Sequence, residues 1–560
     1  MRAQYTRANW IWIGCEARAR TCLDHAHQGV RCRIMSARGA MRMDKRNINS
    51  VIQHPLLLPG LAAVAMTALA LFTRSFWGDE LFSIRFSQGG WDALLEELAR
   101  DYHPPLYFAL LRLWMLVFGD GEAGLRVFQG MQALGLLWSA GVLFRQVFPS
   151  KRIHPLFVLL LLSVELWLFL PMLRYYALAA MLATLATAAW LRVEQEGSRR
   201  NIALLALLYT LVLYTDYPSS MIILLHAAAT LLRHRAALPR MLLSAAIAGA
   251  LFLPWAGTVL LQLRTLGGTG QVADLNSGPV SLILKIGYGM YAFILGETVY
   301  PVEHAALLAL LLLAVPIMLA VRAKSDGEAR GVMLLFAALA LGALCCTALI
   351  TTFVSRHTSF IYTPARTLYA LPLLFVALAA VYEVLPRPLP RRMLVLVLTA
   401  LSLYGLGNLA MLRQVFMPVY AVPWREVVDE LAGRDGVLLA DELACVRYYH
   451  ERLAAPRPRL LDDAEAVLAP LRAGQAPDST ITVHVFLTER ESTAGELSPD
   501  IISLLTTHGR LLRHDRHVRY DDTYRWIKST LLRRPPGEAK LHVYEFVLGR
   551  AQSRVASSEE

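Results

Sequence analysis

The chain has 560 residues, a formal net charge of +12, 56% hydrophobic residues, only 18% charged ones and a mean hydropathy of +0.44. A soluble globular domain carries about a quarter charged residues, so this composition excludes an ordinary soluble enzyme. The basic excess would suit nucleic acid in a soluble chain. Here, however, Lys and Arg fall mostly in short loops between apolar runs, where they set membrane orientation.

Residues 1–50 are Arg-rich and lack a long apolar core, so they are not a standard signal peptide. They read as a basic extension, or as the product of an upstream start, with Met41 or Met43 as the alternative first residue. Three of the six cysteines, Cys15, Cys22 and Cys32, lie there. Cys345 and Cys346 sit in an apolar run and Cys445 is isolated, so no metal or disulfide framework is expected.

Apolar runs follow at 51–73, 124–147, 153–172, 175–193, 201–215, 218–232, 240–263, 304–322, 331–353, 366–385 and 392–412. At roughly 20 residues per crossing, they predict a polytopic helical membrane domain over 51–412 with about 11–13 spans. One set of loops is basic: "SKR" (150–152), "EQEGSRRN" (194–201), "RHRAALPR" (233–240), "VRAKSDGEAR" (321–330) and "PRPLPRR" (386–392). The positive-inside rule turns these to the cytoplasm. The long 74–123 loop, the 173–175 turn, "TDYPS" (215–219), the 264–303 segment and "SRHTSFIYTPAR" (355–366) then lie outside. The runs at 105–119 and 282–296 are too short to cross and read as amphipathic or re-entrant helices of the outer face. The chain becomes charged after residue 413. Strand-like runs at 436–442, 481–489 and 540–549 alternate with helical patterns at 424–433 and 500–512. This predicts a small α/β domain over 413–560, outside the membrane.

The outer loops gather the chemistry-bearing residues. Asp79 and Glu80 stand just past the first span. Two acids there suit a solvated helix start, and they also suit a general base. His103 precedes Pro104 and Pro105, and proline at a helix start fixes it at the entrance of the next helix. Arg174, Arg356 and Arg366 lie at span ends, where arginines snorkel but also bind phosphate. Tyr175 joins Trp77, Tyr176 and Tyr217 as either an aromatic belt or a sugar platform. Asp216 in "YTDYPSS" is either a turn acid or a site residue.

The ordered set Asp79-Glu80, His103-Pro104-Pro105-Leu106-Tyr107, Phe118-Gly119 and Arg126 resembles the membrane glycosyltransferases of the GT-C class. The branch is that of the dolichyl-phosphate-mannose–protein mannosyltransferases and the lipid A aminoarabinose transferase, and the resemblance covers about residues 51–412. It implies a multi-pass protein of the plasma (inner) membrane with its active site and C-terminal domain on the extracytoplasmic side. It also implies a polyprenyl-phosphate-linked sugar donor, a lipid, glycan or protein acceptor, and transfer with inversion. Asp79 and Glu80 would be catalytic. His103, Arg174, Tyr175, Asp216, Arg356 and Arg366 would bind substrate. Some relatives hold a divalent metal ion, for which Glu80 and His103 would be the ligands here. The alternative is a transporter or flippase. It would use ionisable residues inside spans, of which Glu165 and His226 are the main ones.

Overall fold

The structure is a computed structural model. It describes residues 55–101, 103–265, 279–323, 327–353, 362–413, 417–475, 477, 479–489, 500–531 and 537–549. The extension at 1–50 and the site candidate Arg356 lie outside the described residues. From Pro59 onward the chain forms one unit.

Eight helices lead to the site: α1 (Leu57–Thr73), α2 (Gly78–Gln88), α3 (Trp91–Ala99), α4 (Leu106–Phe118), α5 (Glu122–Val147), α6 (Pro155–Leu161), α7 (Val164–Phe169) and α8 (Tyr176–Gln195). Among the described residues, seven helices are long and apolar enough to cross a bilayer: α5, α8, Arg235–Arg264, His304–Arg322, Gly327–Thr352, Pro364–Val384 and Pro388–Ala410. The pair α1 and α2 bends by 101° between Thr73 and Gly78, and makes an eighth span if taken as one.

This is fewer than the eleven runs suggested. The 153–172 run breaks at Leu162–Ser163 into α6 and α7. The 201–215 run yields a 15-residue helix, Arg199–Leu213, and the 218–232 run opens with a tight 3₁₀ turn before the 12-residue helix Ile222–Arg233. Apolar composition alone does not show where a helix stops, and at 1.5 Å per residue such pieces fall short of a bilayer. The runs at 105–119 and 282–296 form the helices Leu106–Phe118 and Pro279–Leu295, short as expected.

The helices differ in their surroundings. α8 and Pro364–Val384 are mostly buried, whereas Arg235–Arg264 and His304–Arg322 expose most of their apolar side chains. An apolar helix left exposed suits lipid contact, and one buried all round belongs to the bundle centre.

The C-terminal domain holds a five-stranded sheet in the order β2-β1-β3-β5-β4: β1 (Val437–Ala440), β2 (Arg459–Leu460), β3 (Ile481–Thr488), β4 (Gly509–Arg519) and β5 (Ala539–Leu548). β1 runs parallel to β2 and β3, while β5 is antiparallel to β3 and β4. Alternating residues of β5 face a core of Leu439, Val483, Val485, Leu505, Phe546 and Leu548. The helix expected over 500–512 stops at His508, and Gly509 opens β4. The charged run that follows hides β4 in the sequence, because its strand pairs along β5 with little apolar alternation of its own.

Candidate active site

The α1–α2 corner positions the first site residues. Arg74 ends α1 and donates from Nη1 to Leu168 O at 2.8 Å and from Nη2 to Trp167 O at 2.7 Å. It thus caps the C-terminal carbonyls of α7, where a cation is favoured. α2 begins after extended Trp77, and Glu80 at its third position accepts from Trp77 N at 3.2 Å, a helix-start pattern. The other oxygen of Glu80 accepts from Arg126 Nη1 at 2.6 Å and from Leu173 N at 2.7 Å.

Both Glu80 carboxylate oxygens are therefore engaged by partners within the fold. The Glu80 side chain is 2% exposed, whereas that of Asp79 is 47% exposed. Of the pair, only Asp79 carries a half-exposed side chain.

Asp79 is held by Arg174, which lies in the turn between α7 and α8. Arg174 Nη1 donates to the Asp79 carbonyl at 3.1 Å and to Ser83 Oγ at 3.2 Å, and its Nη2 stands 3.5 Å from Asp79 Oδ2. The same Nη2 donates to His103 Nε2 at 3.1 Å. A guanidinium only donates, so His103 Nε2 is the acceptor and the ring proton sits on Nδ1. That Nδ1–H faces Asp101 Oδ2 at 3.0 Å. Burial pushes the His103 pKa below its ordinary value, against the pull of the Asp101 hydrogen bond. His103 is thus a neutral link in a chain from Asp101 through Arg174 to Asp79. Burial works against the charge on Arg174, but Asp79 and the Tyr176 and Tyr175 hydroxyls outweigh it and raise its pKa.

Arg174, expected among the phosphate binders, is buried and spends most of its donors on Asp79, Ser83 and His103. Its Nε–H alone among its nitrogens meets no hydrogen-bond acceptor. Arg366 opens the Pro364–Val384 segment and shares its electrostatic surroundings with Tyr175, Tyr176, Asp216 and Arg174. Asp216 is buried, and its Oδ2 accepts from Ser219 N at 2.8 Å. Burial lifts its pKa to about 6, opposed by the Ser219 hydrogen bonds and by Arg366. Tyr175 packs edge-on against His103 at 5.4 Å and against Tyr176 at 4.9 Å. Asp79, His103, Arg174, Tyr175, Asp216 and Arg366 therefore converge on one region, drawn from five separate stretches of chain. Tyr217 turns aside to Gln262 Oε1 at 2.8 Å and to Trp255 Nε1 at 3.0 Å.

The expected metal ligands do not fit a metal. Both Glu80 oxygens are engaged, one with a buried arginine, and His103 Nε2 receives a hydrogen bond from a second arginine. A divalent ion at His103 would stand against that guanidinium. Among the described residues no group of three His, Cys, Asp or Glu side chains is placed to hold a metal. The residues expected of a transporter are packed as well. His226 stacks on Trp190 at 4.5 Å and is bonded on both ring nitrogens, to Thr187 and Tyr209. Glu165 accepts from Glu297 N at 3.1 Å.

Sequence reasoning missed the C-terminal contribution. Tyr420 packs edge-on to Trp77 at 4.9 Å. Ser75 Oγ accepts from Arg425 N at 2.9 Å and donates to Glu426 Oε2 at 3.2 Å, and Phe76 N donates to Tyr449 Oη at 2.7 Å. The corner before Asp79 is thus pinned by residues more than 300 positions away, for which the sequence carries no local signal. Asp101, two residues before His103, was within reach of a reading of "DYHPP".

No family model matches the chain, and no curated protein matches its sequence. Solved structures do match along most of its length. ArnT from Cupriavidus metallidurans, in the apo state and bound to undecaprenyl phosphate, is 12% identical, with 87% of this chain and 97% of that chain covered and a TM-score of 0.48 in each case. The Archaeoglobus fulgidus oligosaccharyltransferase in complex with Zn and sulfate is 11% identical, with 81% and 69% covered and a TM-score of 0.43. The chemistry is read from the chain's own side chains.

Proposed function

We propose that the chain is an inverting glycosyltransferase that moves a hexosyl or pentosyl unit from a polyprenyl-phosphate donor to an acceptor hydroxyl at the outer face of the plasma (inner) membrane. The observation that carries this reading is the half-exposed Asp79 carboxylate beside buried Arg174, with half-buried Arg366 also near Tyr176, at the corner where a membrane helix turns. The motif order from Asp79 to Arg126 supports the reaction class, and the basic loops on the opposite side support the orientation.

Asp79 takes the proton of the acceptor hydroxyl. The acceptor oxygen bonds to the anomeric carbon from the face opposite the phosphate. The carbon–oxygen bond to the phosphate breaks, and its electron pair leaves with the polyprenyl phosphate. A phosphate leaves without a strong general acid, but it needs fixed positive charge as it departs. Arg366 supplies that charge with its planar fork of donors. Arg174 holds the base in place, and neutral His103 fixes the guanidinium of Arg174. Tyr175 lines the space beside His103, and Asp216 faces Arg366. No step runs through a metal.

The test is turnover of the donor. The purified protein in lipid is given polyprenyl-phosphate-linked sugars extracted from its host's membranes, and free polyprenyl phosphate is measured by mass spectrometry. Release of polyprenyl phosphate with transfer of the sugar supports the assignment. Movement of a lipid-linked sugar across vesicles without cleavage supports a flippase instead.

A further inference from the structure

α2 has a second face. Gly78, Phe82 and Arg85 on it form one wall of a cleft of about 700 Å³. The opposite wall is the Leu443–His450 helix of the C-terminal domain with its flanks, which present Glu442, Arg447 and Glu451. Asp120 ties the two walls together. Its Oδ2 accepts from Gln88 Nε2 at 2.9 Å and from Arg452 Nη2 at 3.0 Å, and its carbonyl accepts from Tyr448 Oη at 2.9 Å. The Phe76 N–H bond to Tyr449 ties the Leu443–His450 helix to the corner just before α2. The cleft is therefore preformed rather than assembled by its ligand.

Phe82 also faces the Asp79 cluster. Its ring lines the cleft and lies 5.7 Å from the His103 ring and 5.7 Å from the guanidinium carbon of Arg174. Phe82 thus touches both the cleft and the residues that hold the base, and the cleft reaches Gly78, next to Asp79 in the chain. Outward, Arg447 and Glu451 also line a second depression of about 560 Å³ that runs to Arg459 and Asp462. The groove is longer than one sugar ring needs.

The lining selects the ligand class. Three arginines, Arg85, Arg447 and Arg452, and three carboxylates, Asp120, Glu442 and Glu451, stand among the apolar Leu81, Ile84, Leu443 and Ala444; Arg452 is paired with Asp120 and Arg447 with Asp462. A polyanion would meet as many acids as arginines, and an acyl chain would lie against six charged side chains. A polyhydroxylated ligand suits both signs, because each hydroxyl donates to a carboxylate and accepts from a guanidinium. Leu81, Phe82, Leu443 and Ala444 add apolar surface for the ring carbons of a sugar. We infer that this cleft is the acceptor subsite of the transferase and that the acceptor is a glycan. Its terminal hydroxyl passes Gly78 and Phe82 to reach Asp79, and its preceding sugars lie along the C-terminal domain. The inference rests on the reading of Asp79 as base.

The experiment fills the cleft. Ala444 is exposed and lines it, so Ala444→Trp occupies the space without touching the Asp79 cluster. Membranes carrying each variant are given labelled polyprenyl-phosphate sugar, and two products are measured: sugar transferred to envelope material, and free sugar from attack by water. Ala444→Trp is expected to lower transfer at least tenfold while free sugar stays within twofold of wild type. Glu451→Ala is expected to lower transfer less, and free chitotriose or mannotriose at millimolar concentration to compete in wild type alone. Unchanged transfer in Ala444→Trp, or an equal fall of both products, overturns the inference. Product analysis that finds the sugar on a peptide or a lipid headgroup overturns the glycan class. Asp79→Asn serves as the separate control. If it leaves both products intact, the base assignment fails, whatever the cleft variants do.

Discussion

Arg126 donates to Glu80 across 2.6 Å with both side chains 2% exposed. The guanidinium carbon of Arg126 also lies 4.3 Å from the centre of the Phe76 ring, and its Nη1 is shared with Pro171 O at 2.9 Å. This pair ties α2 to α5 and to the α7–α8 turn, so the backbone that carries Asp79 depends on it. Breaking one side of a buried ion pair costs about 3–5 kcal/mol, because the other charge is left alone. Glu80→Ala and Arg126→Ala are each expected to lower the melting temperature in detergent sharply, with activity lost through misfolding. Normal stability with lost transfer in Glu80→Ala would return Glu80 to the chemistry.

Arg366 is assigned the departing phosphate, and the fork of its donors matters as much as its charge. Arg366→Lys keeps the charge and loses the two-pronged geometry. It is expected to lower kcat/KM for the donor about tenfold or more, equivalent to about 1.4 kcal/mol of transition-state binding, at unchanged stability. Wild-type kinetics in the Lys variant would remove Arg366 from the phosphate site.

Two buried groups beside the site give opposite pH signatures. Asp216 titrates at about 6 in the folded protein against an ordinary 3.8, so its proton is favoured by folding. That contribution is present below about pH 4 and is lost as the pH rises through 6; two units correspond to about 3 kcal/mol at most. His103 is shifted the other way, below 6.5, so its contribution is present above that value and is lost as the pH falls through the folded pKa. Melting temperatures measured from pH 4 to pH 7 check both signs. Asp216→Asn is expected to make stability rise more steeply with pH than in wild type, and His103→Gln less steeply. A variant with the wild-type slope contradicts the environment given for that residue.

The C-terminal domain braces the corner just before Asp79. Tyr449→Phe removes the acceptor for the buried Phe76 N–H, and an unpaired buried donor costs about 1–3 kcal/mol. The expected result is a folded protein with a lower melting temperature and a transfer rate reduced several-fold, with KM for the donor nearly unchanged. An unaltered rate would show that the corner holds without the C-terminal bond.

Much of the architecture is legible in the chain. Leu- and Ala-rich runs mark the long helices because burial in lipid or in the bundle centre demands apolar composition over a whole span. The alternation in β3 and β5 marks the strands because one face meets a core. The breaks at Leu162 and Gly509 are not legible, since they arise from what the flanking segments pack against. Asp79, His103, Arg174, Asp216 and Arg366 could be singled out by type and position, and the structure brings them together. The division of labour between Asp79 and Glu80 could not be read, because it depends on Arg126 and Leu173, which are adjacent only in space. The same holds for Tyr420 and Tyr449. Residues recruited across more than 300 positions leave no spacing pattern behind.

The central claim is that Asp79 is the base for sugar transfer from a polyprenyl-phosphate donor. Single-turnover transfer by Asp79→Asn protein, matched to wild type in melting temperature and in donor binding, tests it most directly. The variant is expected to bind donor with near wild-type affinity and to transfer sugar at least a hundredfold more slowly, the scale of a lost general base. Transfer at the wild-type rate by a folded, donor-bound Asp79→Asn protein would contradict it.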